Sequence, residues 1–257
     1  MCRRLLARVV PAPAALVVLV LGGCSIAPEP VTEQGGVIDR LLTPVTVAAA
    51  VVAGLVWALV AWSIVRYRRR NDTLPPQVAE HVPIEIAYTV IPIVIVAVLF
   101  AFGTGALTRV EEKVADPDVV VEIQGFQWSW QFTYPGEGVV VAGDGTGTTG
   151  PELVLPVDRT TRLELVSADV AHSFWVPDFL SKRDLVPGVD NEVDVTPTEE
   201  GTFVGRCAEY CGLDHWRMNF TVRIVSAREF AAWAEASATG PEGPARPAGP
   251  DEGEGGG

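Results

Sequence analysis

One stretch decides both the fold and the chemistry of this chain: Cys207-Ala208-Glu209-Tyr210-Cys211-Gly212-Leu213-Asp214-His215-Trp216-Arg217-Met218. It brings two thiols, one imidazole and one thioether close together. Thiolate and thioether are soft ligands that favour copper, and imidazole suits copper as well. A mononuclear blue-copper loop needs only one Cys, so the second Cys suggests two thiolates that bridge a pair of copper ions. His172, in the segment Asp169-Val170-Ala171-His172-Ser173-Phe174, can supply a second imidazole.

Two other interpretations of the loop remain open at this stage. Cys207 and Cys211 can form a short-loop disulfide, which an exported domain permits. Two Cys and two His can also complete a tetrahedral zinc site. Neither interpretation has a use for Met218, and copper is therefore the preferred metal.

The loop resembles the binuclear copper (CuA) loop of subunit II of cytochrome c oxidase, with the pattern C-x-E-x-C-G-x-x-H-x-x-M. The His-Ser-aromatic segment at His172 and the segment Gln127-Trp128-Ser129-Trp130 match the same family, and the resemblance runs from the first membrane helix to about Val225. The resemblance implies two copper ions bound by His172, Cys207, Cys211, His215 and Met218, with the backbone carbonyl of Glu209 completing the copper shell.

The resemblance also implies roles beyond the copper ligands. The side chain of Glu209 would reach a magnesium ion at the boundary with subunit I, since a carboxylate is a suitable magnesium ligand. Trp128 would be the residue at which electrons enter, and Trp130 a core aromatic. Ser129 and Val189 depart from the family, which commonly carries Tyr and Arg at these places.

Composition indicates a membrane-anchored, acidic protein. The chain has 257 residues, is 48% hydrophobic and carries a net charge of −13. Such a charge excludes nucleic-acid binding and suits a basic partner protein.

The first residues are typical of a signal peptide. Residues 1–23 combine three Arg with a short apolar core and end in small residues. The following residue, Cys24, resembles the lipid-bearing first residue of a mature bacterial lipoprotein. An uncleaved signal or a chance Cys is the alternative.

Two uncharged runs predict a transmembrane hairpin over residues 44–108, after a mature N-terminal segment 24–43. Pro44 to Val65 and Ile86 to Thr108 are each about one bilayer long. The Arg-rich connector between them should stay in the cytoplasm, which places the following domain on the outer face of the bacterial plasma membrane.

Glu85 lies at the cytoplasmic start of the second run. The resemblance implies that it stands at the mouth of a proton channel of subunit I. A carboxylate favoured by the dipole at a helix N-terminus is the other interpretation.

Many short strands follow, separated by Pro, Gly and Asp, and predict a β-sandwich or Greek-key barrel over residues 112–226. The predicted strands are Val119 to Ile123, Trp128 to Tyr134, Leu153 to Leu155, Arg162 to Val166, Phe174 to Val176, Glu192 to Val195, Phe203 to Arg206 and Asn219 to Val225. The resemblance makes this a cupredoxin-like Greek-key β-barrel, so the fold class is an α+β membrane protein. A helix is predicted over 227–239, because Ser226 and Glu229 form a capping-box pattern. Residues 240–257, rich in Gly, Pro and acid, are predicted to be disordered.

These features predict an electron-transfer subunit of a haem-copper oxidase. Its expected partners are oxidase subunit I with its haems, other oxidase subunits, a soluble or membrane-bound cytochrome c, and the membrane. The alternative is a membrane-anchored protein for copper assembly or storage, which would bind copper reversibly at an exposed site.

Overall fold

The computed structural model describes residues 27–70, 72, 76–143 and 150–238. The predicted signal peptide, Cys24, residues 144–149 of the Gly/Thr segment and the acidic tail lie outside the described residues. The chain divides into two compact units. One contains two long helices, and the other contains the strands together with Val31–Glu33.

The helical unit consists of α1 (Glu33–Arg66) and α2 (Val82–Val110). Both helices are long and apolar enough to cross a membrane, and the side chains of their most apolar stretches are exposed, as lipid-facing side chains would be. Helix α1 has 34 residues and is about 50 Å long at 1.5 Å per residue. It is longer than the uncharged run, because residues 33–43, which include the charged pair Asp39 and Arg40, continue the helix beyond the apolar stretch.

In the other unit, the described residues form ten strands in two five-stranded sheets. Their bounds are β1 (Val119–Phe126), β2 (Ser129–Tyr134), β3 (Val139–Ala142), β4 (Glu152–Pro156), β5 (Thr161–Ser167), β6 (His172–Val176), β7 (Ser181–Leu185), β8 (Asn191–Val195), β9 (Gly201–Cys207) and β10 (Asn219–Val225). The first sheet has the order β3-β2-β1-β5-β8, and the second has the order β4-β10-β9-β6-β7. Neighbouring strands are antiparallel except for the β1–β5 and β4–β10 pairs. The prediction of a cupredoxin-like β-domain after two apolar helices is confirmed.

Alternate residues of the strands form the core of this domain. Strand β1 alternates strictly between buried and partly buried residues, as a half-covered strand should. Large side chains from both sheets meet in one cluster around Trp130, Phe132 and Phe220, whose rings make edge-on contacts. One buried face per sheet therefore fixes the register of the strands that carry the site.

Two strands have no counterpart among the predicted ones. Strand β3 is only four residues long and follows the tight turn Pro135–Gly138. Strand β7 reads Ser-Lys-Arg-Asp-Leu and pairs only with β6, at the edge of its sheet. An edge strand exposes polar residues, so its sequence lacks the apolar alternation that predicts a strand.

Both ends of the β-domain are held against its body. Val31 is buried in the core, its N–H donates to the Asp178 carbonyl, and its carbonyl accepts from the N–H of Thr198. Helix α3 (Ala227–Ala238) is capped by Ser226, whose hydroxyl accepts the N–H of Glu229 at 3.2 Å, as the capping-box pattern predicts.

Candidate metal centre

The loop between β9 and β10 carries most of the predicted ligands, and backbone hydrogen bonds close it. The Cys207 N–H donates to the Met218 carbonyl at 2.9 Å, and the Ala208 N–H donates to the Ser173 carbonyl at 3.0 Å. A short 3-10 helix, His215–Arg217, ends the loop. Since Cys207 lies opposite Phe174 in the β9–β6 pairing, the loop lies beside His172 at the start of β6.

The five predicted side-chain ligands converge on one place. The sulfurs of Cys207 and Cys211 are 3.9 Å apart. His172 Nδ1 lies 3.9 Å from the Cys207 sulfur, and His215 Nδ1 lies 3.5 Å from the Cys211 sulfur. The Met218 sulfur lies 3.7 Å from that of Cys211. The two thiols thus lie at the middle of the group, with one imidazole beside each.

The site is closed to solvent on most sides. His172 and Met218 are at most 1% exposed, and both cysteines are buried, whereas His215 is half-buried. In the described part of the chain, His172, Cys207 and Cys211 are the group of metal-binding side chains whose ligand atoms lie close enough to share one ion.

The electrostatics of the two cysteines differ sharply. Burial raises the pKa of Cys207, but hydrogen bonds from His172 and backbone groups outweigh burial and lower this pKa to about 7. Burial and the neighbouring Cys207 charge raise the pKa of Cys211 to about 12. Burial lowers the pKa of His172, yet Cys207 and Asp169 together raise it above its ordinary value. Two adjacent thiolates repel each other unless a cation lies between them. The arrangement of the two cysteines therefore favours binding of a cation.

The geometry bears on the two other interpretations of the loop. The sulfurs are nearly twice as far apart as the roughly 2.05 Å of a disulfide, and both cysteines are free. A four-ligand zinc site leaves out the Met218 thioether, which is buried within contact distance of Cys211. Two thiolates, two imidazoles and a thioether form a soft donor set that fits copper.

Comparison with known proteins shows the family. Residues 147–225 match the family described as cytochrome c oxidase subunit II, periplasmic domain. A "probable cytochrome c oxidase subunit 2" of Streptomyces avermitilis is 39% identical, over 79% of this chain and 76% of its own length. The chain belongs to the cytochrome c oxidase subunit II family.

Other subunit II proteins show the same likeness. Cytochrome c oxidase subunit 2 of Mycobacterium tuberculosis is 35% identical, over 81% of this chain and 73% of its own length. Among solved structures, the periplasmic domain of subunit II of cytochrome oxidase of Bradyrhizobium japonicum is 34% identical and covers 49% of this chain and 96% of that chain, with a TM-score of 0.45. As a subunit II, this chain is part of an oxidoreductase, a membrane protein with its β-domain on the outer face.

Trp128 lies next to the candidate metal-binding loop of this subunit II, in the β1–β2 turn. Its indole Nε1–H donates to the Cys211 carbonyl at 3.1 Å, and its ring is half-buried against the core. Trp130 is fully buried and packs against Phe174 and Phe220, so its prediction as a core aromatic is confirmed.

Three further residues around the site were missed by sequence reasoning. Asp169 accepts a hydrogen bond from His172, the Gln127 amide side chain donates to the Cys211 carbonyl at 2.7 Å, and Gly125 leaves room for the His172 ring. Asp169 stands three positions before His172, a predicted ligand, and this spacing is the one signal that the sequence offers.

The backbone and the side chain of Glu209 have different surroundings. Its backbone carbonyl lies 3.2 Å from the Cys207 sulfur, next to the predicted copper ligands. Its carboxylate is exposed and lies 3.8 Å from Lys182 Nζ. Within the described residues, this carboxylate is not part of a group of three or more side chains whose ligand atoms lie close enough to share one metal ion.

Glu85 belongs to the helical unit, in the first turn of α2. Its carboxylate accepts the backbone N–H of His81 at 2.8 Å, and His81 is the N-cap residue. This contact satisfies one of the free N–H groups at the helix start. Glu85 therefore has a capping contact of its own, independent of any role in proton uptake.

Proposed function

We propose that the β-domain holds a binuclear CuA centre that accepts electrons from cytochrome c and passes them to haem in subunit I, which supports reduction of oxygen to water. The observation that carries this proposal is the convergence of five soft donors around two sulfurs 3.9 Å apart. Family membership supports the same function, since the ligand pattern is the one that the resemblance implies for subunit II.

The spacing of the donors fits metal ions shared by both thiolates. A metal ion sits about 2.3 Å from a thiolate sulfur and about 2.0 Å from an imidazole nitrogen, taking zinc as a guide. The 3.9 Å between sulfurs and the 3.5–3.9 Å between sulfur and nitrogen are each shorter than the sum of two such bonds. An ion can therefore touch both donors of each pair without displacement of the backbone.

The protein keeps the ligands in place whether or not the site changes charge. Cys207 ends a paired strand, His172 begins its neighbour, and Met218 is bonded through its carbonyl to the Cys207 N–H. Bound copper would supply one-electron oxidation and reduction. Ligands fixed by two paired strands and shielded from water move little, which suits electron transfer rather than substrate chemistry.

Trp128 is the proposed residue of electron entry. Its ring is half-buried, and its Nε1–H contacts the carbonyl of Cys211, so one hydrogen bond joins the ring to a ligand residue. The net charge of −13 suits a basic cytochrome, because opposite charges accelerate encounter.

Further proposals follow from the resemblance. Glu209 contributes its carbonyl to the copper shell, and its carboxylate binds magnesium only together with ligands from subunit I. Glu85 stands at the mouth of a proton channel of that subunit. Residues 1–23 are a signal peptide, and a lipid on Cys24 anchors the mature chain to the outer face of the plasma membrane.

The alternative of copper assembly or storage is not favoured by the burial of the donors. A protein that releases copper needs ligands that a partner can reach, whereas His172, Cys207, Cys211 and Met218 are all buried. Reversible release of copper to a weak chelator by the folded protein would support this alternative.

Electron paramagnetic resonance of the copper-loaded full chain in detergent tests the proposal. We expect hyperfine splitting shared by two equivalent copper ions in the wild type and its loss in Cys211→Ser and His215→Asn. His81→Asn is the matched control, because His81 caps α2 and Asn is also a good N-cap. A normal two-copper spectrum from Cys211→Ser would contradict the bridging role.

A further inference from the structure

The Asp169 carboxylate makes hydrogen bonds to residues on two sides of the candidate metal centre. Asp169 Oδ1 lies 2.8 Å from Nε2 of His172, the nitrogen that points away from Cys207. The same carboxylate accepts the N–H of Gln127 at 2.7 Å and the N–H of Val170 at 2.6 Å. Two backbone donors favour its charged form, so the imidazole Nε2–H is the donor towards Asp169.

The contact with Gln127 continues to the other cysteine. The Gln127 side-chain amide donates to the Cys211 carbonyl at 2.7 Å, and Trp128 Nε1 donates to the same oxygen at 3.1 Å. A chain of hydrogen bonds therefore runs from the ring of His172 through Asp169 and Gln127 to the carbonyl of Cys211. It joins β6 to the metal-binding loop by a path that does not pass through the sulfurs.

We propose that Asp169 is the positioning residue of the metal centre, which fixes the His172 ring with Nδ1 towards Cys207 and holds the Gln127–Trp128 turn against Cys211. This inference rests on the proposed function for the identity of the metal, but its geometry does not. A ligand His commonly donates its other N–H to a carboxylate, which fixes the tautomer and the ring orientation.

Packing around His172 does not by itself select this orientation. Gly125 lies against Cγ and Cδ2 of the ring, and Trp130 lies tilted to it at 6.3 Å between centroids. These contacts define the plane of the ring. A half-turn of the ring keeps nearly the same shape and exchanges nitrogen for carbon at the position facing Cys207. A hydrogen-bond acceptor on Nε2 is what distinguishes the two orientations, and Asp169 provides it.

The first test uses the metal-free full chain in detergent, labelled with ¹⁵N at histidine. We expect the wild type to show a His172 Nε2–H proton protected from exchange with water. His81→Asn and His215→Asn assign the signals of the other two histidines. Asp169→Ala should lose the protected proton. Asp169→Asn, whose side-chain oxygen can still accept a hydrogen bond, should retain it. A protected His172 Nε2–H in Asp169→Ala would overturn the proposal.

The second test measures copper binding by competition with a chelator. Asp169→Ala should bind copper about 10–100-fold more weakly than the wild type, the range found when such a partner of a ligand is removed. Asp169→Asn should lie closer to the wild type, because it restores the orientation. Asp190→Asn is the matched control, since it removes an exposed carboxylate that precedes β8, a strand of the sheet that does not contain β6 and β9. Equal loss in Asp169→Ala and Asp190→Asn would contradict a positioning role.

The two tests separate this inference from the proposed function. A wild type that shows the protected His172 proton but no two-copper spectrum would refute the CuA assignment and leave the positioning role of Asp169 standing. Unchanged copper affinity and an unchanged copper spectrum in Asp169→Ala would refute the positioning role while the CuA assignment stands. If Asp169→Ala fails to fold, Asp169→Asn is compared with Asp169→Glu. The Glu side chain is one methylene longer, so its oxygens cannot meet His172 Nε2 in the same geometry. Wild-type affinity in Asp169→Glu would then overturn the proposal.

Discussion

Replacement of Gly125 by Ala is expected to disturb the metal centre more than it disturbs the fold. Gly125 is a buried residue of β1, and a Cβ built on it would lie 3.2 Å from two ring atoms of His172 and 3.2 Å from Cδ2 of Leu185. Ordinary contacts of this kind begin at about 3.4 Å. The ring and the leucine must therefore each move by a few tenths of an ångström.

The expected cost in stability is small because two effects oppose each other. Overpacking of a core costs about 1–3 kcal/mol. Replacing a strand Gly by Ala returns about 0.5–1 kcal/mol of conformational entropy. The net loss is therefore about 0–2.5 kcal/mol, which lowers the melting temperature of a domain of this size by about 10 °C at most. The His172 ring is held by Asp169 on one side and faces Cys207 on the other, so a shift of the ring changes the position of its Nδ1 at the metal centre.

The assay combines the copper spectrum with thermal unfolding. Gly125→Ala should show altered copper hyperfine splitting while its melting temperature stays within about 10 °C of the wild type. Gly136→Ala is the control, because a Cβ at this turn position meets nothing within 4 Å. It should leave the spectrum unchanged and stabilise slightly, by about 0.4–1 kcal/mol. A wild-type copper spectrum from Gly125→Ala, at any melting temperature, would refute the close packing of this strand against His172.

Four further outcomes are expected. Met218→Leu should retain both copper ions and shift the reduction potential measured by redox titration, because a thioether is a weak ligand; complete loss of copper would contradict this. Trp128→Gln should keep the copper spectrum but slow stopped-flow reduction by cytochrome c strongly, and a normal rate would exclude the entry role. Asp194→Ala should cost about 3 kcal/mol in denaturant unfolding, since it leaves the Arg162 guanidinium without its buried two-bond partner; a change below 1 kcal/mol would refute this. Glu85→Gln keeps an oxygen that can accept the hydrogen bond at the helix start, so helix content by circular dichroism should be unchanged. Proton uptake by the assembled oxidase should fall, because the carboxylate is lost. Unaltered proton uptake would leave capping as the role of Glu85.

The convergence of the proposed copper ligands could be predicted from the sequence because most of them are close together in the chain. One loop contains Cys207, Cys211, His215 and Met218. Their thiolate, imidazole and thioether groups are ligands that copper prefers. His172 lies far from this loop in the sequence, but its His-Ser-aromatic segment identifies it as a candidate ligand through the family resemblance.

The residues that support the ligands could not be predicted in the same way. Asp169 and Gln127 act through hydrogen bonds whose partners lie on other strands, and neither residue type is unusual in a loop. The close approach of β1 to His172 at Gly125 is a property of sheet packing, and no local pattern encodes it. Strand β7 was missed for a related reason, because its charged residues are tolerated only at a sheet edge.

The attachment of Val31 to the β-domain bears on the order in which the chain can fold. Val31 and Thr32 are synthesised before both apolar helices, yet their partners Asp178, Pro197 and Thr198 come only after both helices and the first half of the β-domain. Contacts between such distant parts of a chain form slowly. The segment that leads into the first apolar helix, although synthesised early, can therefore be fixed in the core only after Thr198 has been synthesised.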